Sequence, residues 1–252
     1  MNIMKSSIKA VSFDLWETLI HDAGSSAWEE WRLSVLEPML TDYGATREKM
    51  KVAYARYTKE FNRRRATDRR DIDVPEQISM FLGELGIKPT PALLAKLDEP
   101  YVSPVLHFPP RLNESAARVL DSLKSRGCKI ALISNTGKTP GRVLAKLFEN
   151  YGIAGYFDAL VFSNEVGYMK PREEIFRDML GKLGAEPHEA VHVGDELYAD
   201  IHGAKSMGMK AVWVKSFRSH LGLPKNDGAA LEIKPDAEAE NLGDVLEIVE
   251  KL

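Results

Sequence analysis

Four short apolar runs each end in a cluster of polar side chains, and the types in those clusters define a chemistry. Asp14 follows Val11-Ser12-Phe13, with Thr18 four residues on. Ser134, Asn135 and Thr136 follow Ile130-Ala131-Leu132-Ile133. Ser163, Asn164 and Glu165 follow Leu160-Val161-Phe162 and lead to Lys170-Pro171. Gly194, Asp195, Glu196 and Asp200 follow Val191-His192-Val193. Loops are polar in general, but four coincident clusters go beyond what packing asks. Asp14 and Asp195 offer the hard oxygens that Mg²⁺ takes alongside a carbonyl, water and substrate. A carboxylate also serves as a nucleophile, splitting one difficult step into two. Ser134, Asn135 and Lys170 are donors for the non-bridging oxygens of a transferring phosphoryl group, which needs mainly positioning and charge neutralisation. Metal, donors and carboxylate together point to phosphoryl transfer.

A parallel sheet with covering helices would present those clusters, since ligands in an open α/β sheet bind beyond the carboxyl ends of its strands. The apolar runs predict strands over 10–13, 129–133, 159–162, 190–193 and 211–214. Helical patterns lie at 113–126, 141–150, 172–183 and 199–207, with a final helix over 240–252. Gly127, Gly152, Gly184 and Gly208 stand where helix ends want a left-handed residue. Residues 22–105 differ: they hold no convincing strand and four helical patterns, at 26–43, 46–67, 74–85 and 90–97. Pro100, Pro104, Pro109 and Pro110 should keep the returning chain extended. The reading is a doubly wound α/β core of residues 1–21 and 106–252, with an all-helical module, 22–105, inserted after the first strand.

Composition narrows the function classes. Among 252 residues, 44 % are hydrophobic and 28 % charged, which excludes a disordered chain, collagen and a coiled rod. Lys plus Arg is 34 and Asp plus Glu is 37, a net charge of −3, so nucleic acid is not an expected partner. A single cysteine, Cys128, permits neither an internal disulfide nor a Cys-rich metal site. No apolar stretch approaches the roughly 20 residues of a membrane helix. The first seven residues carry no apolar run, so no secretory signal is expected. These features predict a cytoplasmic protein away from membranes, with monomer and homodimer both left open.

Phe13-Asp14-Leu15-Trp16-Glu17-Thr18-Leu19, Ile133-Ser134-Asn135-Thr136, Lys170-Pro171 and Gly194-Asp195-Glu196-Leu197-Tyr198-Ala199-Asp200 resemble the four ordered motifs of the haloacid dehalogenase superfamily. The similarity spans about residues 8–214, and the last motif is the most specific. The resemblance implies a Rossmann-like core with a helical cap, and a Mg²⁺-dependent phosphatase acting on a small phosphorylated metabolite. It implies that Asp14 is nucleophile and metal ligand, that the Trp16 backbone carbonyl is a second ligand, and that Thr18 braces the first loop. Ser134 and Asn135 would bind phosphoryl oxygens, and Lys170 would neutralise Asp14 and the aspartyl phosphate. Asp195 would complete the metal shell, with Asp200 a ligand or an orienting group behind it.

One position departs from the phosphatase pattern. The second Asp that protonates the leaving oxygen in most of the superfamily's phosphatases is replaced by Trp16, and an indole cannot act as acid or base there. The superfamily's 2-haloacid dehalogenases also carry an aromatic residue at that point, and a leaving halide needs no proton. They need no metal, however, and lack the Gly-Asp of the fourth motif, which this chain keeps. Phosphatase is therefore the leading reading. A metal-independent dehalogenase using Asp14 and a weakly active or non-catalytic binder of phosphorylated ligands remain as alternatives. Glu17 is the nearest carboxylate that could replace the missing acid, and a substrate with a good leaving group would need little protonation.

Other features read more plainly. Arg63-Arg64-Arg65 and Arg69-Arg70 read as a solvated helix end beside Asp68, Asp71 and Asp73, with an anion-binding patch as the alternative. Trp28 and Trp31 share one face of a helix and are expected to pack. Trp16 could project toward the insert. Arg32 or Arg47 could take the place of a dehalogenase's halide-binding arginine. His192 reads as a hydrogen-bonded core histidine and His202 as a surface or supporting group. His107 is a remote candidate for a replacement proton donor. Tyr168 and Met169 are expected only to position Lys170.

Overall fold

The apolar runs become the strands of one parallel sheet in the structure, a computed structural model that describes residues 8–21, 25–215 and 233–252. The opening residues read above for a leader lie outside the described ones. The chain runs through β1 (Ala10–Phe13) and β2 (Ile20–His21) into α1 (Ser25–Leu40), α2 (Arg47–Asp68), α3 (Val74–Glu84), α4 (Pro91–Val102) and α5 (Pro104–His107). It returns through β3 (Arg111–Leu112), α6 (Ala116–Ser125), β4 (Lys129–Ser134), α7 (Gly141–Asn150), β5 (Ala159–Phe162), α8 (Ser163–Val166) and α9 (Glu173–Leu183). Then come β6 (Ala190–Gly194), α10 (Gly203–Ser206), β7 (Lys210–Val214), β8 (Ala237–Ala239) and α11 (Val245–Lys251).

The sheet order is β5-β4-β1-β6-β7-β8, and every neighbouring pair is parallel. Phe13 lies opposite Leu132 on one side and Val193 on the other, so the chain segments after β1, β4 and β6 leave the sheet side by side. Strands covered on both faces need apolar residues at every position, and β1 and β6 are buried throughout. Val11, Phe13, Leu132 and Val193 belong to one apolar cluster, while Ala10, Ile133, Phe176 and Met179 belong to another. Gly127, Gly152, Gly184 and Gly208 all have positive φ, as expected of helix ends.

The five helices between β2 and β3 begin where their capping side chains allow. Thr46, Asp73 and Thr90 accept the Lys49, Glu76 and Leu93 amides at the starts of α2, α3 and α4. Their shared interior holds Tyr54, Tyr57, Phe61, Phe81 and Tyr101 around Gln77, whose Oε1 accepts from the Tyr57 and Tyr101 hydroxyls. The antiparallel β2–β3 ribbon ties the outgoing chain to the returning one, pairing Ile20 with Leu112 and His21 with Arg111.

Two local expectations change. Pro100 lies inside α4 and Pro104 is the first residue of α5, so neither holds the chain extended. Burial of Tyr101 and Val102 carries α4 past Pro100, and a first helical position suits proline because its missing N–H has no partner there anyway. The helix expected over 199–207 instead opens with a wider π turn, Leu197–His202. Both the Asp200 and Ile201 amides donate to the Glu196 carbonyl, which widens that turn before α10. No described helix is long and apolar enough to cross a membrane.

Candidate active site

Asp14 sits one residue past β1, its amide donating to the Val193 carbonyl at 2.8 Å, and its carboxylate is almost wholly buried. Lys170 reaches it from the loop after α8: Nζ lies 2.5 Å from Asp14 Oδ1, 2.7 Å from Asp200 Oδ1 and 3.0 Å from the Ile133 carbonyl oxygen. Asn135 does not point its amide at an open space. It clasps the Lys170 backbone, its Oδ1 accepting from the Lys170 amide at 2.8 Å and its Nδ2 donating to the Lys170 carbonyl at 3.3 Å. Asn135 thus fixes the lysine that serves Asp14 while still lining the pocket.

Asp200 is the most heavily engaged carboxylate. Oδ1 meets Lys170 and His192 Nε2, and Oδ2 accepts the Glu196 amide at 3.0 Å. A carboxylate only accepts, so His192 carries its proton on Nε2 and takes the Ser12 hydroxyl on Nδ1 at 2.8 Å. Burial holds His192 below its ordinary pKa, and it is neutral and fully enclosed, the core histidine expected. Gly194 allows this crowding: a Cβ there would stand 2.3 Å from the Asp200 carboxyl group.

Asp14, Asp195 and Asp200 bring one oxygen each within 4.8 Å of one another. Lys170 pairs with two of these three buried carboxylates, Asp14 and Asp200, and the electrostatics of those two diverge. Burial opposes ionisation of Asp200, but the Lys170 charge and the His192 hydrogen bond outweigh it and hold its pKa below the carboxylate range. Burial raises Asp14 well above that range, because Lys170 only partly offsets it and Asp200 and Glu196 repel its charge. Lys170 is held charged despite burial by Asp14 and Asp200. Excess negative charge among hard oxygen atoms is the donor set that suits a divalent cation such as Mg²⁺. The Trp16 carbonyl accepts no hydrogen bond among the described residues, since Glu17 turns away at φ 60° and donates its own amide to Ile20. The Ser134 and Thr18 hydroxyls are buried without a hydrogen-bond partner in the described structure.

Asp14, Lys170, Asp195 and Asp200 line a pocket of about 270 Å³ with Trp16, Arg65, Arg69, Asn135, Met169 and Glu196, while Ser134 and Thr18 lie buried behind its wall. A larger chamber of about 690 Å³ adjoins it beneath the helices, sharing Trp16 and Arg65 as walls. Trp16 projects toward the helices and meets Trp28 edge-on at 5.8 Å between ring centroids. Trp31, three residues on, stacks on His107 instead. His107 is exposed and lines neither cavity, so it is no proton donor here. Glu17 lines the chamber, 3.6 Å from His21. Arg47 pairs with Glu30 at the surface, whereas Arg32 is buried in the chamber wall.

The arginine run divides. Arg63 and Arg64 are solvated partners of Glu60 and Glu76, as expected. Arg65 and Arg69 turn into the pocket, which the reading as a solvated helix end missed. Arg65 Nε lies 2.9 Å from Asp71, whose buried carboxylate also accepts from Thr136 at 3.1 Å and from Ser163. Asp71 therefore joins the helical insert to the loops after β4 and β5. No local pattern marks that role, because Asp71, Thr136 and Ser163 are far apart in the chain.

The family model of the haloacid dehalogenase-like hydrolases matches residues 8–208. A glyceraldehyde 3-phosphate phosphatase of Methanopyrus kandleri is 28 % identical over 249 residues, covering 97 % of this chain and 98 % of the relative. A ribulose-1,5-bisphosphate 5-phosphatase of Halopiger xanaduensis is 34 % identical over 134 residues, 53 % of this chain and 55 % of the relative, so that match spans about half of each. Among solved structures, a 2-haloacid dehalogenase of Pseudomonas syringae pv. Tomato superposes with a TM-score of 0.67 at 22 % identity, covering 97 % of this chain and 99 % of the other.

Proposed function

This chain belongs to the haloacid dehalogenase-like hydrolases, and on that premise we propose that it is a Mg²⁺-dependent phosphatase acting on a small phosphorylated metabolite through an aspartyl phosphate on Asp14. The observation that carries this reading is the buried cluster of Asp14, Asp195 and Asp200, one oxygen of each within 4.8 Å of the others. A metal-independent dehalogenase has no need of that surplus negative charge. The relatives named as phosphatases of small phosphorylated sugars support the same class.

In this reading Asp14, the Trp16 carbonyl and Asp195 hold the cation, which would neutralise charge on the nucleophile and the phosphoryl oxygens. Asp14 attacks phosphorus. The phosphoryl group lies among Ser134, Asn135 and Lys170, and the orphaned Ser134 hydroxyl is a donor in want of an acceptor. Lys170 partly offsets the burial that raises the Asp14 pKa, favouring its ionised form, and stays charged through the covalent stage. Asp200 fixes Lys170 and is itself fixed by His192 and the Glu196 amide. Thr18 braces the turn after Asp14. Water then cleaves the aspartyl phosphate. The helical insert, residues 22–105, acts as the cap over a core made of 1–21 and 106–252. With Trp16 unable to protonate a leaving oxygen, substrates with good leaving groups are favoured, because general acid help is worth about 10²–10⁴-fold.

Phosphate release from p-nitrophenyl phosphate and acetyl phosphate, with Mg²⁺ and with chelator, tests this. Release that needs Mg²⁺ and falls about 10⁴-fold or more in Asp14→Asn, with the melting temperature retained, is the expected result. Release undiminished in Asp14→Asn would overturn it. Trp16 supports the second reading, and chloride released from a 2-chloroacid without metal would replace the phosphatase by a dehalogenase.

A further inference from the structure

The chamber beneath the helical insert holds positive charge that the chain does not use. Arg32 is buried, donating from Nε to the Tyr101 carbonyl at 2.6 Å and from Nη1 to the Tyr54 hydroxyl at 2.5 Å. Lys138 enters from the loop after β4, donating to the same Tyr54 hydroxyl at 3.0 Å and to Thr58 at 2.7 Å. Its ammonium also stands 4.2 Å from the Tyr54 ring centroid. Every partner of these two cations is a neutral oxygen or a ring. Among the described residues neither has a carboxylate within ion-pair distance. Arg65 has Asp71, Glu17 stands 3.6 Å from His21, and Glu29 is exposed at the rim.

Buried cations are ordinarily paired. The Tyr54 oxygen accepts from both Arg32 and Lys138, and no acceptor for its own proton stands among the described residues. Three donors thus converge on a space that reaches the Asp14 pocket past Trp16 and Arg65. The field there is strong enough that burial, with Arg32 and Arg65 nearby, holds Lys138 down to about 7 against the weaker pull of Glu29. An anionic group entering the chamber would supply the missing counter-charge.

We propose that Arg32, Lys138 and the Tyr54 hydroxyl form a second anion-binding subsite, which holds a carboxylate or second phosphoryl group of a substrate whose reacting phosphoryl lies against Asp14. The subsite deepens the phosphatase reading by naming a substrate class: small phosphorylated molecules with a second acidic group a few bonds from the ester. A structural reading of Lys138, as a peg between the β4 loop and α2, predicts no preference among ligands, so ligand discrimination separates the two.

Calorimetric titrations of Asp14→Asn in Mg²⁺ provide the test, because without the nucleophile nothing turns over and any effect of the amide on phosphate binding cancels in a ratio. One pair of probes is 3-phosphoglycerate and glycerol 3-phosphate; the other is fructose 1,6-bisphosphate and fructose 6-phosphate. The more anionic member of at least one pair should bind about tenfold or more tightly, as charge-assisted hydrogen bonds would give. The pair with the larger ratio tells carboxylate from phosphate. Adding Lys138→Met should lower that ratio several-fold, to what Arg32 supplies alone, and Lys138→Arg should keep most of it. Ratios near one in both pairs, or a ratio unmoved by Lys138→Met, would overturn the subsite. Preferential binding by a wild-type protein that releases phosphate from no ester would overturn the phosphatase reading and leave the subsite standing.

Discussion

The pocket at Asp14 and the chamber beneath the helical insert share Trp16 and Arg65 as walls, yet their charges are balanced in opposite ways. At the floor of the pocket Asp14, Asp195 and Asp200 gather within 4.8 Å, Lys170 pairs with two of them, and Asp200 alone takes Lys170, His192 and the Glu196 amide. In the chamber two cations rest on neutral oxygens. The first has surplus negative charge and suits a cation; the second has surplus positive charge and suits an anion. A phosphorylated acid held by Mg²⁺ at one end and by Arg32 and Lys138 at the other would satisfy both. The reacting end and the recognising end of such a site are told apart by which sign is left over.

Lys170→Met gives the largest expected effect and is the hardest test of the pocket's half of the comparison. It leaves Asp14 and Asp200 buried without their shared counter-charge. Removing one partner of a buried pair typically costs about 3–5 kcal/mol, which for a chain of this size is a fall of roughly 10 °C in melting temperature. Turnover should fall about 10³-fold or more, since both the nucleophile's ionisation and phosphoryl neutralisation depend on this amine. Added Mg²⁺ should recover part of the melting temperature and little of the turnover. A variant as stable as wild type without metal would show that the carboxylates do not depend on Lys170 for their charge balance.

Asp71→Asn probes the seam between the two regions and should have an intermediate effect. The Asp71 side chain is fully buried and receives Arg65, Thr136, Ser163 and the Ile72 amide. The amide keeps the shape but removes the charge that faces Arg65. Loss of a charged acceptor in a buried network costs about 1–3 kcal/mol, so melting should drop by several degrees. Arg65, released from its carboxylate, adds to the positive charge of both cavities. KM for phosphorylated substrates should therefore change more than kcat, which steady-state kinetics would show. Equal loss in both would mean that Asp71 sets the geometry of the reacting atoms rather than the balance between the cavities.

The two regions were unequally legible in the sequence for a physical reason. Asp14, Ser134 and Asp195 each close an apolar run, and a parallel sheet places strand ends together whatever the details of its helices. The chamber depends on helix phase and on distant contacts. Tyr54, Tyr57 and Phe61 recur at helical spacing and are buried along α2. The Tyr54 hydroxyl gains a role only when Arg32, 22 positions away, and Lys138, 84 positions away, converge on it. Arg65 directly follows solvated Arg64, but each helical step turns the side chain by about 100°, and composition cannot say which of five arginines faces in. The short β2–β3 ribbon and β8 escaped notice because strands of two or three residues carry too little alternation to read.

The smallest expected effect is on pH dependence, and it bears on the chamber alone. Lys138 is faced by Arg32 and Glu29 from α1 and by Tyr54, Thr58, Phe61 and Arg65 from α2. With its pKa held down to about 7 in the free protein, the amine is mostly charged at pH 6 and mostly neutral at pH 8.5. Arg32 stays charged throughout, so the subsite weakens as pH rises without vanishing. Preference for 3-phosphoglycerate over glycerol 3-phosphate should therefore fall several-fold across that range. The phosphate's own second ionisation, near pH 6, is common to both ligands and cancels in the ratio, and the carboxylate is ionised at both pH values. In Lys138→Met the ratio should be low and flat. A ratio in the parent protein that rises with pH would have the wrong sign for a lysine subsite and would assign the anion to Arg32 and Arg65 without Lys138.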